Sequence, residues 1–259
     1  MKRTRIEALP LSLPSEFSSL SLGAKIYDSS CSPEAKVYYV EKDEGYFIKS
    51  APKGALLREC EMGRYFHTKG LSPEVLYYGS GEADMLLTAR AIGQDGTHFV
   101  DEPKRLCDAM AEALRALHEV DARDCPVTDR VGEYLALADA NYAAGKYDLS
   151  LFGEKHIYPS AEDAYKVLSE GRGLLKNEVL LHGDYCLPNI MLENYRATSF
   201  IDVGNGGIGD RHIDLFWGAW TLWFNIGTDI YRDRFFDAYG RDRVDTDILA
   251  VISAAEIFG

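Results

Sequence analysis

Three polar side chains set among strongly apolar neighbours mark where this chain could do chemistry. The segment His182-Gly-Asp184-Tyr-Cys-Leu-Pro-Asn189 is followed, after a short turn, by Phe200-Ile-Asp202-Val-Gly204. A buried carboxylate without compensation is costly, so an aspartate at a strand end usually has a partner, a cation or a job. One amide oxygen and one carboxylate oxygen, from Asn189 and Asp202, suit Mg²⁺, which keeps several waters and takes the rest of its shell from substrate phosphates. Asp184, five residues before the amide, is then free to orient a hydroxyl and accept its proton while a phosphoryl group is transferred.

Handling phosphate also needs positive charge. Lys49 closes the β-rich run Tyr46-Phe-Ile-Lys49, and Glu59 lies ten residues later in a helical pattern. Alone, the two would be an ordinary surface pair. Beside the Asp184 segment they form a strand lysine held by a helix glutamate, the device with which protein kinases grip nucleotide phosphates.

These residues must be positioned by the elements around them. Val37-Tyr-Tyr-Val40 and Tyr46–Lys49 flank Glu41-Lys-Asp-Glu-Gly45 and predict a hairpin. Leu56, Leu57, Cys60, Met62 and Phe66 are spaced for a helix ending at Gly70, and Glu74–Tyr78 and Met85–Thr88 predict two further strands. Beyond residue 92 helices dominate: one through Leu106, Met110, Leu114 and Leu117 to His118, one over Val131–Ala144, and one or two more between Ala161 and Gly171 and between Asp210 and Tyr239. Between them, Glu178–Leu181, Ile190–Leu192 and Ser199–Asp202 predict one β segment, with a turn at Glu193–Arg196. The expected architecture is α+β and bilobal, a small antiparallel-sheet lobe over residues 1–92 and a mainly helical lobe over 93–259.

Composition narrows the partners. The chain has 259 residues, 28 Lys+Arg against 41 Asp+Glu, and a net charge of −13, which argues against nucleic acid. Residues 1–92 hold 12 basic and 12 acidic side chains, so the excess lies wholly in the second lobe, where an acidic cleft would concentrate a cationic ligand. A solvated acidic surface would explain the same numbers. Five scattered cysteines without a C-x-x-C pair argue against a disulfide framework or zinc knuckle. No signal-peptide apolar region forms, and the most apolar stretch, Leu215–Ile226, is too short to span a bilayer, so a cytoplasmic location without membrane contact is expected.

The ordered motifs resemble the aminoglycoside phosphotransferases, most closely those of the 3′ (kanamycin kinase) type, which share the protein-kinase-like bilobal fold. The resemblance runs from Ser32-Pro-Glu-Ala-Lys-Val-Tyr38 through Tyr46–Lys49, Leu57-Arg-Glu59, Leu71–Val75 and Leu114–His118 to Cys125-Pro126. It continues with His182–Asn189, Ile201–Gly204 and Gly209–Leu215 and ends at Glu256-Ile-Phe258. It implies that Lys49 binds the α- and β-phosphates of ATP, GTP being the alternative, and that Glu59 positions it. Asp184 is the implied catalytic base, and Asn189 and Asp202 the implied Mg²⁺ ligands. Ser32 matches a phosphate-contacting loop, Phe47 the aromatic that stacks on the base, and Ala89-Arg-Ala91 the lobe connection whose backbone pairs with it. Glu256 matches an acceptor-binding position, the acceptor being an aminoglycoside and antibiotic resistance the implied role. Asp210 and Asp214 match aspartates that shape the catalytic segment.

Other features look chemical and are not. His118-Glu119 opens like H-E-x-x-H, but the fifth position is Ala122. Gly204–Gly209 lacks the Lys-Ser/Thr of a phosphate-binding loop, and Asn205–Gly209 predicts a turn. His182 is expected to brace the catalytic loop, and the apolar neighbours of Trp217, Trp220 and Trp223 make most of them core. Three departures from the 3′ pattern, Asn205, Trp220 and the single carboxylate of Ala255-Glu256, all fall on the acceptor side. A kinase of the same fold for a macrolide, choline or a sugar amine is therefore the alternative. A nucleotide-binding pseudokinase is disfavoured, because Lys49, Glu59, Asp184, Asn189 and Asp202 are all present.

Overall fold

The computed structural model describes residues 3–31, 33–153 and 157–259, and the chain divides into two compact units, Met1–Gly96 with Pro188–Asn205 and Thr97–Leu187 with Gly206–Gly259. The first unit is built on a six-stranded antiparallel sheet. Its strands are β1 (Thr4–Ile6), β2 (Lys25–Asp28), β3 (Lys36–Glu41), β4 (Tyr46–Pro52), β5 (Val75–Ser80) and β6 (Ala83–Ala89), in the order β1-β2-β3-β4-β6-β5. The predicted hairpin is β3–β4, with Phe47 opposite Tyr39 and Lys49 opposite Val37. Period-two alternation sends Tyr38, Val40, Ile48 and Leu87 to one face, where Leu9, Leu11, Leu13 and Phe17 of the N-terminal segment cover them. Lys49, Ala51 and Leu86 point to the other face, against which helix α1 (Leu57–Thr68) packs through Leu56 and Cys60.

A second, three-stranded sheet completes this unit. Its strands β7 (Gln94–Asp95), β9 (Ile190–Glu193) and β10 (Arg196–Phe200) run in the order β10-β9-β7. The single β segment expected over residues 178–202 is therefore split. β8 (Val179–Leu181) pairs instead with β11 (Gly207–Gly209), in the second unit, so three of the five residues predicted as a turn, Asn205–Gly209, are strand. Strands of three residues carry too little local pattern to name their partner.

Helices α2 (Pro103–His118), α3 (Arg130–Ala143), α4 (Ala161–Gly171), α5 (Arg211–Ile226), α6 (Arg232–Gly240) and α7 (Thr246–Glu256) form the rest of the second unit. Leu168, Leu181, Phe216, Ile252 and Phe258 belong to its core. α5 is capped by Asp210, which accepts from His212 N, and ends at the left-handed Gly227. Among the described residues no helix is long and apolar enough to cross a membrane.

Candidate active site

Lys49 stands in the middle of β4, a strand paired on both edges, so its backbone is fixed and its side chain must rise on the α1 face. There its Nζ donates to Glu59 Oε2 at 2.6 Å and to Asp202 Oδ1 at 2.9 Å. Lys49 and Glu59 are about one-fifth exposed, Asp202 half. Burial works against the ammonium, but Asp202 and Glu59 outweigh it and hold the Lys49 pKa above its ordinary value. Burial pushes the Glu59 carboxyl up, Lys49 pulls it down and Asp202 adds to the rise.

Asp202 owes its position to an unusual backbone. It follows β10 with φ of 59°, the left-handed region that costs a residue with a side chain about 1–2 kcal/mol, and such outliers cluster where function needs them. Gly204, two residues on, lies against α1; a Cβ there would come within 3.3 Å of Glu59 Cβ, so glycine permits the close approach. Asn189 is buried, and its carbonyl accepts from Ile201 N at 3.0 Å. Asn189 and Asp202 thus flank the open end of the β9–β10 hairpin, two hard oxygen donors of the kind that suits Mg²⁺. Phe47 lies 5.0 Å from Tyr39, with the Arg3 guanidinium 4.0 Å from the Tyr39 ring centre and 5.5 Å from that of Phe47. Ala89 N donates to Glu74 O and Arg90 N to Gly45 O, while Ala91 is buried. Ser32 lies outside the described residues.

Asp184 belongs to the second unit, on a turn after β8 that other side chains hold rigidly. Asp214, fully buried, accepts from His182 N and Gly183 N at 2.8 Å each and bonds His118 Nε2 at 3.1 Å. Gly183 takes φ of 82°, and Asp184 N donates to His182 Nδ1 at 3.2 Å, so His182 acts as a brace. Further along, Tyr185 Oη donates to Met110 O and Leu187 N to Thr221 Oγ1. Asp210 accepts from Lys176 N and from the backbone and ring of His212. Replacing Asp214 by Ala strands three buried donors and is expected to destabilise the protein by about 3–5 kcal/mol. At 2–4 °C per kcal/mol for a chain of this size, the melting temperature should fall by roughly 10 °C in a thermal scan.

Glu256 ends α7 and is 8% exposed. Its Oε1 accepts from Tyr134 Oη at 2.9 Å and Trp217 Nε1 at 3.0 Å. Burial pushes this carboxyl up to about 7; the two donors pull it down and the charge of Asp184 pushes it further up. Tyr134 and Trp217 escaped the sequence reading as partners of Glu256, since it put most of the tryptophans in the core. The spacing 217, 220, 223 gave a signal, since steps of three share a helix face. Trp217 and Trp223 both meet Trp220 edge-on, and Trp220 stacks on Phe224 at 4.8 Å and donates to Leu151 O. Among the described residues no cluster of three His, Cys, Asp or Glu could hold a metal, and His118 is spent on Asp214 and Tyr239.

Residues 33–249 match the phosphotransferase enzyme family. A probable aminoglycoside 3′-phosphotransferase of Lactococcus lactis subsp. lactis (strain IL1403) is 46% identical over 99% of this chain and 97% of its own. The aminoglycoside 3′-phosphotransferase of Niallia circulans is 32% identical over 82% of this chain and 83% of its own. Among solved structures, an aminoglycoside 3′-phosphotransferase of type VIII superposes with a TM-score of 0.78 at 25% identity, covering 92% of this chain and 94% of that one. The chain belongs to the phosphotransferase enzyme family, among its aminoglycoside phosphotransferases.

Proposed function

We propose that this enzyme moves the γ-phosphoryl group of ATP, with GTP as the alternative donor, to the 3′-hydroxyl of an aminoglycoside and so confers resistance. The bond from γ-phosphorus to the β-bridging oxygen breaks, a bond to the acceptor oxygen forms, and the hydroxyl proton passes to Asp184. The observation that carries this reading is the Lys49 ammonium held between Glu59 and Asp202. Such an ammonium is fixed where nucleotide α- and β-phosphates can take it. Asn189 and Asp202 would hold Mg²⁺, which when bound neutralises phosphate charge. Phe47 offers its ring to the base, the Ala89–Ala91 backbone its edge, and Ser32 its loop to the phosphates. Residues 1–92 would form the nucleotide lobe and 93–259 the catalytic and acceptor lobe, where Glu256 binds the cationic acceptor. Five free cysteines fit a reducing cytoplasm.

Trp220, stacked on Phe224, favours a second reading, in which the same machinery phosphorylates a less cationic alcohol such as a macrolide. A coupled turnover assay with ATP and GTP against a panel of aminoglycosides, with choline and a macrolide as controls, separates the two. Turnover of 3′-hydroxyl aminoglycosides, with 3′-deoxy analogues inert, is the expected result. Turnover confined to a control alcohol would overturn it.

A further inference from the structure

Asp84 is a fully buried carboxylate of the first unit that the site described above does not use. It stands on β6 opposite Ala51 of β4 and Ser80 of β5, and two positions on Leu86 joins Ala51, Leu56 and Cys60 in the apolar layer under α1. An apolar side chain would fill that place without the desolvation that a charge brings. What the carboxylate does there is hold neutral donors. Its Oδ1 accepts from Ser80 Oγ at 2.6 Å, and its Oδ2 from Tyr78 Oη at 3.1 Å and from Leu56 N at 2.9 Å. The Gly54 amide donates as well. Burial pushes this carboxyl up, but Ser80, Gly54, Leu56 and Tyr78 together hold it down at about 2.

Two of those donors lead into α1. Gly54 turns the chain out of β4 with φ of 87°, and Leu56 is the residue at which the helix begins. A leucine there has no side-chain acceptor to offer the amides of the first turn. Asp84 supplies from the neighbouring strand both an oxygen at Leu56 N and a negative charge at the positive end of the helix dipole. Glu59, the partner of Lys49, lies in that same first turn. We propose that Asp84 is a positioning residue for the reaction: by fixing the turn into α1 it sets where Glu59 meets Lys49, and so where the ammonium stands to receive nucleotide phosphate. The inference rests on the nucleotide reading above. Lys49 is placed by β4, which pairs with β6 at Leu86 and Asp84, so one strand locates both members of the ion pair. Without the carboxylate two amides lose their anchor, the first turn of α1 frays and Glu59 withdraws. Lys49 then follows Asp202, its other partner.

The test is a double-mutant cycle. Affinities for ATP and GTP are measured by displacement of a fluorescent nucleotide analogue from the wild type, Asp84→Asn, Glu59→Gln and the double variant. Asp84→Asn keeps the shape but turns an amide NH₂ toward donors, and it should weaken nucleotide binding about three- to tenfold, within the coupling expected of residues joined in one network. A residue that acts through Glu59 adds nothing once Glu59 is disabled, so the double variant should match Glu59→Gln within about twofold. In turnover the nucleotide KM should rise while the KM of the aminoglycoside acceptor stays at its wild-type value. Hydrogen exchange should quicken over Leu56–Cys60 and keep its wild-type rate in the β3–β4 hairpin. Unchanged nucleotide affinity in a folded Asp84→Asn, a loss that adds in full to that of Glu59→Gln, or a rise in both KM values alike would overturn the proposal. Should Asp84→Asn not fold, Tyr78→Phe/Ser80→Ala decides, since it leaves the carboxylate and both amides and removes only the hydroxyls. A smaller loss, again absent in the Glu59→Gln background, supports the positioning role, and no loss or an additive one overturns it. A wild type that binds neither ATP nor GTP would overturn the nucleotide reading and this inference together.

Discussion

Replacing Asp184 by Ala should lower kcat by roughly 10³-fold or more, at the upper end of what a positioned general base contributes. Nucleotide affinity should change by less than about twofold, as measured by equilibrium titration with a fluorescent ATP analogue. The asymmetry follows from where the residues stand. Lys49, Glu59, Asn189 and Asp202 are held by β4, α1 and the β9–β10 hairpin of one unit, whereas Asp184 depends on Asp214, His182 and Thr221 of the other. Asp184→Asn should be nearly as slow, since the amide retains a hydrogen-bonding oxygen but accepts no proton. Nucleotide binding lost along with turnover would show that the role is misassigned.

Lys49→Ala is expected to have the second-largest effect, raising the nucleotide KM about 10- to 100-fold and lowering kcat/KM by a further factor. On the proposed role, the substitution removes the charge-assisted bonds that Lys49 would make to phosphate. It also leaves Glu59 and Asp202, each within 2.9 Å of the lost ammonium, facing one another uncompensated. Glu59→Gln should cost less, because Asp202 still restrains the lysine. The double variant should be little worse than Lys49→Ala alone, the non-additivity expected of groups that act as a unit. Unchanged nucleotide KM in Lys49→Ala, read from initial rates at saturating acceptor, would sink the assignment.

Much of this site was legible because it is local. Lys49 sits on a strand whose alternation is plain, Glu59 on the helix that follows, and Asp184 to Asn189 in one unbroken turn. What escaped was long-range. Asp202 meets Lys49 across 153 positions, Tyr134 meets Glu256 across 122, and His118 meets Asp214 across 96, and no spacing rule reaches that far. β1 and β2 hold three and four residues, and β8 finds its partner only at Gly207–Gly209. Such strands are fixed by tertiary pairing, which overrides weak local preference. Helix α7 was also missed, although Asp245 accepts from Asp247 N and Ile248 N as an ordinary cap.

The interrupted path of the first unit bears on how the enzyme is born. Domains generally fold as units while the chain is being synthesised, N-terminal parts first. This unit cannot finish that way, because its β9–β10 hairpin, the Phe200 N bond to Leu71 O and the Gly204 packing on α1 come from residues 188–205. Until the ribosome has released residue 205, the α1 face that presents Glu59 lacks its cover and Lys49 lacks Asp202. The Lys49–Glu59–Asp202 ion triad is thus completed only after the turn bearing Asp184 has already emerged.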